Sequence, residues 1–163
     1  MWQASDAMTK GEYLAYYQDL TRGALGGGHA HFAITDEDGQ RRPEFDNLRR
    51  GLTVLALISL IESRFLSGQP RGTLRRLRNF QPVLTLASTI DQRRLSCYFY
   101  IRDCFGHNPK AKLFPSTQPN TIGFESAIVD GLFPFATIEK SAVKIVDTHA
   151  LHQIALAFFD QND

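Results

Sequence analysis

One short stretch near the middle of the chain decides both the expected fold and the expected function. Its sequence is Tyr98-Phe99-Tyr100-Ile101-Arg102-Asp103-Cys104-Phe105-Gly106-His107-Asn108-Pro109. It closes the most apolar run with helical spacing, and it places an arginine, an aspartate and a histidine where that helix is expected to stop. Gly106 is well placed as the left-handed residue that ends a helix, and Asn108-Pro109 prevents the helix from resuming.

The spacing of Arg102 and His107 makes the helix end important. In an unbroken helix these two residues would lie about 140° apart, at ~100° per residue. If Gly106 adopts the left-handed conformation, the chain reverses and His107 can fold back over the helix end. We therefore predict that the helix stops at Phe105 and that Gly106 caps it.

Working outward, apolar residues at three- and four-residue steps predict further helices. The predicted helices cover 6–24, 43–66, 82–105 and a final segment capped by Thr148, and Thr73 can cap a short basic helix at 74–79. A loop is expected over 110–120. The segment 124–146 has β character and predicts a small hairpin or ribbon, with strands at 127–129, 135–138 and 143–146 and a turn at Asp130-Gly131. We expect a mainly α fold in a single domain over residues 1–163.

The helix predicted over 43–66 has an apolar stripe so wide that it implies burial on more than one side. Glu62 lies beside this stripe, one turn after Ile58. It is either a partly buried carboxylate with an arginine partner or the edge of the stripe. We favour the edge.

Charge is distributed unevenly along the chain, although the net charge is only +1. The segment 64–112 carries ten lysines and arginines and two acidic residues, and the remainder is acidic. A basic middle in a near-neutral protein can attract a polyanion. The alternative is a set of solvated arginines paired with the acidic ends.

Cysteine spacing and hydropathy favour a cytoplasmic protein with no membrane partner. Cys97 and Cys104 would lie roughly 10 Å apart on one helix, too far for a disulfide. The apolar stretch 52–66 is interrupted by charges and too short to span a bilayer, and the N-terminus does not resemble a signal peptide.

Two histidine pairs, His29 with His31 and His149 with His152, have spacings that could serve metal ligation. No Cys, Asp or Glu constellation of metal-site spacing accompanies the first pair, and a pair like the second is far more often found at the surface or in packing. We favour structural roles for both pairs and expect no metal and no cofactor.

The stretch from Arg102 to Asn108 resembles the R-x(4–6)-H motif of the HEPN superfamily, with four intervening residues and a polar residue, Asp103, after the arginine. The motif covers only these residues, and the similarity in architecture covers about 44–160. The resemblance implies an all-α bundle that pairs into a homodimer, so that two motifs form one composite site. It also implies a metal-independent endoribonuclease, of a kind found among toxins and phage-defence effectors, with an antitoxin protein as an expected partner.

The residue types suit this chemistry. RNA supplies its own nucleophile, the 2′-OH, so cleavage needs a group that moves a proton and a fixed cation that stabilises charge on the phosphate. We assign the first role to His107 and the second to Arg102, with Asp103 orienting either of them. Asn108 and Tyr98 are supporting donors. The residues expected to hold flanking RNA are Arg71, Arg75, Arg76, Arg78, Lys110 and Lys112.

Two other hypotheses remain open at this stage. The chain could be a non-catalytic HEPN-like module that binds nucleic acid or a nucleotide. It could also be a helical interaction protein without an RNA role, in which Arg102 is an ordinary ion-paired residue and His107 a residue that caps the helix.

Overall fold

The computed structural model describes residues 8–25, 43–65 and 89–162. Its elements are α1 (Lys10–Leu25), α2 (Pro43–Phe65), α3 (Thr89–His107), α4 (Pro119–Val129), β1 (Ala136–Glu139), β2 (Ala142–Ile145) and α5 (His149–Asn162). The prediction of a mainly α fold with a small hairpin is confirmed. The helix predicted at 74–79 and the beginning of the one predicted from 82 lie outside the described residues.

The centre of the fold is the packing of α2 against α3. The segment 51–61 of α2 has no charged residue, and the side chains that it buries include Val54, Leu57 and Ile58. Gly51 lies directly under the ring of Phe105, where a Cβ atom would stand 2.3 Å from the ring. The absence of a side chain at position 51 therefore lets the two helices approach closely.

Helix α1 packs against α2 and α5. Its start is stabilised by a reciprocal cap, in which the Glu12 amide donates to Thr9 Oγ1 at 3.2 Å and the Thr9 amide donates to Glu12 Oε2 at 2.7 Å. The helix predicted at 6–24 is thus confirmed, with its first turn beginning at Lys10. Tyr13 is fully buried and connects α1 to the core.

The predicted end of α3 is wrong. The helix continues through Gly106 to His107, and the Asn108 amide still donates to the Cys104 carbonyl at 3.0 Å. Of the described glycines, Gly131 alone has a positive φ. The chain reverses instead at Ala111, where φ is 53°. Gly106 remains helical because the hydrogen bonds of the helix extend past it.

The strand predicted at 127–129 is also wrong, because these residues end α4. Pro119 stands in the first turn of this helix, and Thr121, Phe124 and Ala127 are buried at three-residue steps. Asp130 and Gly131 do form a turn, but one that closes a helix, with Gly131 at φ 74°. The predicted loop before α4 accordingly ends at Gln118.

The other two predicted strands are confirmed within one residue, as the antiparallel pair β1 and β2. Asn47 of α2 attaches the hairpin to the helical core. Its Nδ2 donates to the Val143 carbonyl at 2.9 Å, and its Oδ1 accepts from the Ile145 amide at 2.8 Å. A further bridge between Lys112 and Ala142 ties the segment after α3 to the same hairpin.

Candidate functional site

Arg102 lies in the last two turns of α3 and is almost buried, with 9% of its surface exposed. Its Nη1 donates to Glu62 Oε1 of α2 at 2.6 Å, and its Nε donates to Asp103 Oδ1 at 3.1 Å. The guanidinium carbon also lies 4.9 Å from the centre of the Phe99 ring. Two carboxylates and an aromatic face therefore fix this cation in place.

The pairing of Glu62 corrects the sequence interpretation, which placed this residue at the edge of the apolar stripe. Glu62 is the partly buried carboxylate with an arginine partner. An arginine cannot lose its proton when it is buried, so it needs an anion nearby. The sequence interpretation therefore undervalued Glu62, and the available signal was a lone carboxylate after eleven uncharged positions.

One donor of Arg102 remains unused. Its Nη2 is buried and has no hydrogen-bond partner in the described part of the chain. A buried donor without a partner is costly, typically about 1–3 kcal/mol. Arg49 offers an internal comparison, because it too is buried, pairs with Asp46 at 3.0 Å and leaves its Nε without a partner.

His107 has a different environment from Arg102, although both belong to the same helix end. Its side chain is exposed and meets the ring of Phe114 edge-on, with ring centres 5.2 Å apart. Because α3 is unbroken between the two residues, they lie about 140° apart around its axis. A single chain thus holds the arginine in the α2–α3 interface and leaves the histidine in solvent.

Asp103 contacts Arg102. This contact corresponds to the first of its two proposed roles, which were to orient Arg102 or His107. The two supporting residues are committed to local structure. The Tyr98 hydroxyl donates to the Asp147 carbonyl at 3.0 Å, and Asn108 Oδ1 accepts from the Lys110 amide at 2.8 Å. Neither bond involves Arg102 or His107.

Of the basic residues assigned to RNA, only Lys110 and Lys112 belong to the described chain, and both are exposed just after α3. Arg71, Arg75, Arg76 and Arg78 lie outside the described residues, as do His29 and His31.

The second histidine pair takes part in packing between α1 and α5. His152 is buried, stacks on Tyr17 with ring centres 3.5 Å apart, and shares a hydrogen bond of 3.0 Å with the Tyr13 hydroxyl. His149 Nδ1 lies 3.4 Å from the Tyr17 hydroxyl. These contacts agree with the structural role favoured from the sequence.

The chemistry available elsewhere in the described ranges is limited. No group of three or more His, Cys, Asp or Glu side chains there could hold a metal ion. Cys97 and Cys104 are free and buried, as their spacing predicted. Burial raises the pKa of the Cys97 thiol to about 12 and that of Cys104 to about 11, so neither thiol is an activated nucleophile near neutral pH.

No family model matches the chain, and comparisons with curated proteins and with solved structures give no match either. Among the described helices, none is long and apolar enough to cross a membrane.

Proposed function

We propose that the chain is a metal-independent endoribonuclease of HEPN type, whose site is completed by a second copy of the same chain. The supporting observation is the end of α3, which carries a fixed, almost buried arginine and, five residues later, an exposed histidine. Cleavage at a single chain is disfavoured because the two side chains diverge. A homodimer provides two histidines and two arginines for one phosphate.

A second copy has an available surface on α2. Leu52, Leu55, Ser59 and Glu62 share one side of this helix, at ~100° per residue. Leu52 is 50% exposed, Ser59 is exposed and Leu55 is half-buried. A helix that has no charged residue over 51–61 and has one open side there is typical of an element that packs on a partner. Because this side ends at Glu62, a copy packed there would lie beside Arg102.

The proposed reaction uses only the chain's own groups. The neutral imidazole of one His107 accepts the proton of the RNA 2′-OH, and the 2′ oxygen attacks the adjacent phosphorus. The imidazolium of the other His107 gives a proton to the departing 5′ oxygen. The products are a 2′,3′-cyclic phosphate and a 5′-OH end, and Arg102 stabilises the negative charge that develops on the phosphate.

Cleavage of labelled RNA in EDTA tests this proposal. The wild-type chain should give cyclic phosphate ends and should leave DNA and 2′-O-methyl RNA intact. His107→Ala should lower the rate by about 10²–10⁴-fold, as expected for loss of a proton-transfer group. Arg102→Ala should also lower the rate strongly, because the developing charge on the phosphate loses its fixed cation. Arg49→Ala removes a comparably buried, ion-paired arginine and is the matched control, expected to affect stability but not the rate per folded molecule. Unchanged cleavage in both site variants would reject the proposal.

A charged residue introduced on the open side of α2 tests the dimer separately. Leu52→Glu should convert the protein to a monomer in sedimentation experiments and abolish cleavage. Ile122→Glu alters a comparably exposed apolar residue on α4 and should leave both properties unchanged. A monomeric wild-type chain that cleaves RNA would contradict the composite site.

The proposal extends to the biological role of a toxin or phage-defence effector in the cytoplasm, held inactive by an antitoxin protein. Expression of the wild-type chain in a bacterial host should then arrest growth, and expression of His107→Ala at the same level should not. Equal growth of both strains would count against this role.

The involvement of Arg102 with two carboxylates favours a second candidate, a non-catalytic module that binds nucleic acid or a nucleotide. In that case RNA would remain intact but would bind, with an affinity that falls steeply with salt. Replacing Lys110 and Lys112 together with glutamate should then weaken binding. A chain that neither cleaves nor binds RNA would instead be an interaction protein.

A further inference from the structure

A cavity of about 300 Å³ lies at the other end of the described core, where α3, the hairpin and α5 meet. Its walls come from Arg94, Phe135, Asp147 and one side of α5 that includes Ala150, Gln153 and Ala157. None of these residues belongs to the site proposed above. The volume is within the range of pockets that hold small organic ligands.

Arg94 faces this cavity with a fixed guanidinium and spare donors. Its Nε donates to the Leu132 carbonyl at 3.1 Å, and its guanidinium carbon lies 5.3 Å from the centre of the Phe135 ring. These contacts fix the plane of the group. Within the described ranges, its two terminal nitrogens have no hydrogen-bond partner and form no ion pair.

Asp147 supplies the opposite charge. Its Oδ1 accepts from the His149 amide at 2.8 Å, its own amide donates to the Phe135 carbonyl at 3.1 Å, and its carbonyl accepts from Tyr98. The residue is therefore held at two backbone points and one side-chain oxygen, while Oδ2 has no partner in the part of the chain that is described. Arg94 and Asp147 line one cavity without forming an ion pair with each other.

This arrangement suits a particular kind of ligand. Such a ligand offers acceptors to a planar fork of N–H donors and, on a neighbouring edge, donors to a carboxylate, and its faces are apolar. Guanine meets these requirements, because O6 and N7 accept from arginine in a bidentate manner and N1–H and N2–H donate to a carboxylate. Adenine offers no acceptor at C6 and presents an amino group there instead.

We infer that the cavity lined by Arg94, Phe135 and Asp147 binds a guanine base. The small side chains of Ala150 and Ala157 leave space for the ring system, and the Gln153 amide stands at the exposed rim. The base could belong to a free guanosine nucleotide or to an RNA strand, since both present the same edges. The inference does not depend on catalysis at His107.

Calorimetric titration of the full chain with GMP and AMP tests the site. GMP should bind at least tenfold more tightly than AMP. Asp147→Asn keeps an oxygen for the His149 amide but replaces the free acceptor by a donor, and it should weaken GMP binding at least tenfold. Ala157→Leu fills the cavity without changing its charged groups and should do the same. Asp130→Asn, an exposed carboxylate at the end of α4, is the matched control and should bind GMP normally.

Two uncleavable 2′-O-methyl trinucleotides, UGU and UAU, separate the two sources of the base. Tighter binding of UGU than of both UAU and GMP would assign the site to RNA, and tighter binding of GMP than of UGU would assign it to the free nucleotide. Either result supports the inference. Equal affinity for GMP and AMP, the absence of GMP binding, or GMP binding that survives both Asp147→Asn and Ala157→Leu would overturn it. Because binding is measured without cleavage, failure here leaves the proposed ribonuclease untouched, and loss of cleavage leaves this site untouched.

Discussion

Two polar clusters in this molecule bury an ionisable side chain, and they stabilise it in different ways. At the end of α3, Arg102 keeps its charge and requires Glu62 and Asp103 beside it. Between α1 and α5, His152 is buried among aromatic rings and shares a hydrogen bond with Tyr13. A permanent cation must be neutralised by partners from elsewhere, whereas a titratable ring can be buried in its neutral form.

The two clusters differ in their capacity for further interactions. The arginine cluster retains an unused donor and lies on the helix that ends with an exposed histidine. The histidine cluster uses its ring in stacking and its Nδ1 in a hydrogen bond. The arginine cluster is therefore the one on which the proposed function depends, whereas the histidine cluster has a structural role, and three measurements test this difference.

The largest effect is expected from Glu62→Ala, which removes the shorter ion pair of Arg102. Hydrogen bonds to charged groups contribute about 1.5–3 kcal/mol, and the guanidinium would remain almost buried with Asp103 alone. The free energy of unfolding, measured by urea denaturation, should fall by about that amount. Glu139→Ala breaks the exposed pair with Lys144 and should change it by no more than about 0.5 kcal/mol. Equal effects of the two changes would show that Arg102 does not need Glu62.

A smaller effect is expected from Tyr13→Phe, which keeps the ring but removes the hydroxyl that reaches His152 Nδ1. Loss of one buried neutral hydrogen bond should lower the free energy of unfolding by about 0.5–1.5 kcal/mol. Tyr16→Phe, at a tyrosine that is 56% exposed on the same helix, is the matched control and should be neutral. A neutral Tyr13→Phe would mean that stacking alone holds His152.

The smallest effect is a pH dependence of stability. Burial, with the neighbouring His149 as a lesser cause, lowers the pKa of His152 below its ordinary 6.5. Above pH 6.5 the ring is neutral in both states, and its contribution to stability is fully present. As the pH falls below 6.5 the unfolded chain takes up a proton that the folded chain does not, so the free energy of unfolding declines towards the lowered folded pKa.

Denaturation of the wild-type chain and of His152→Gln between pH 5 and 7 measures how much His152 contributes to the pH dependence of the free energy of unfolding. The wild-type curve should fall more steeply towards pH 5 than that of the variant. His149→Ala should make the wild-type slope shallower, since it removes one cause of the lowered pKa of His152. Parallel curves for wild type and His152→Gln would show that the buried ring does not resist protonation.

Local sequence patterns were sufficient to predict a helix where the apolar spacing favoured helix alone. Apolar residues at three- and four-residue steps identified both α2 and α5 without tertiary information. The end of α3 could not be predicted in the same way, because glycine at 106 is compatible with either a cap or a further helical turn. The reversal is made by Ala111, a residue type that seldom adopts positive φ, and it is held by hydrogen bonds to the hairpin.

The candidate site was predictable only in part. The motif identified Arg102 and His107. Because the helix is unbroken between them, helical geometry gives the angle of about 140° that separates them around its axis. The partner of Arg102 could not be identified, because Glu62 lies forty positions earlier and meets it only through the packing of α2 on α3. In α4, the β-branched residues Ile128 and Val129 favoured a strand, but burial at three-residue steps in a helix started by Pro119 prevailed.

The contact between Gly51 and Phe105 has a consequence for how this sequence can change over time. Bare backbone on one helix faces an aromatic ring on the other, and the ion pair between Glu62 and Arg102 spans the same two helices. A larger residue at 51 is therefore tolerable only together with a smaller one at 105. Among descendants of this chain the two positions should vary as a pair, so that α2 and α3 keep the separation that the ion pair between Glu62 and Arg102 requires.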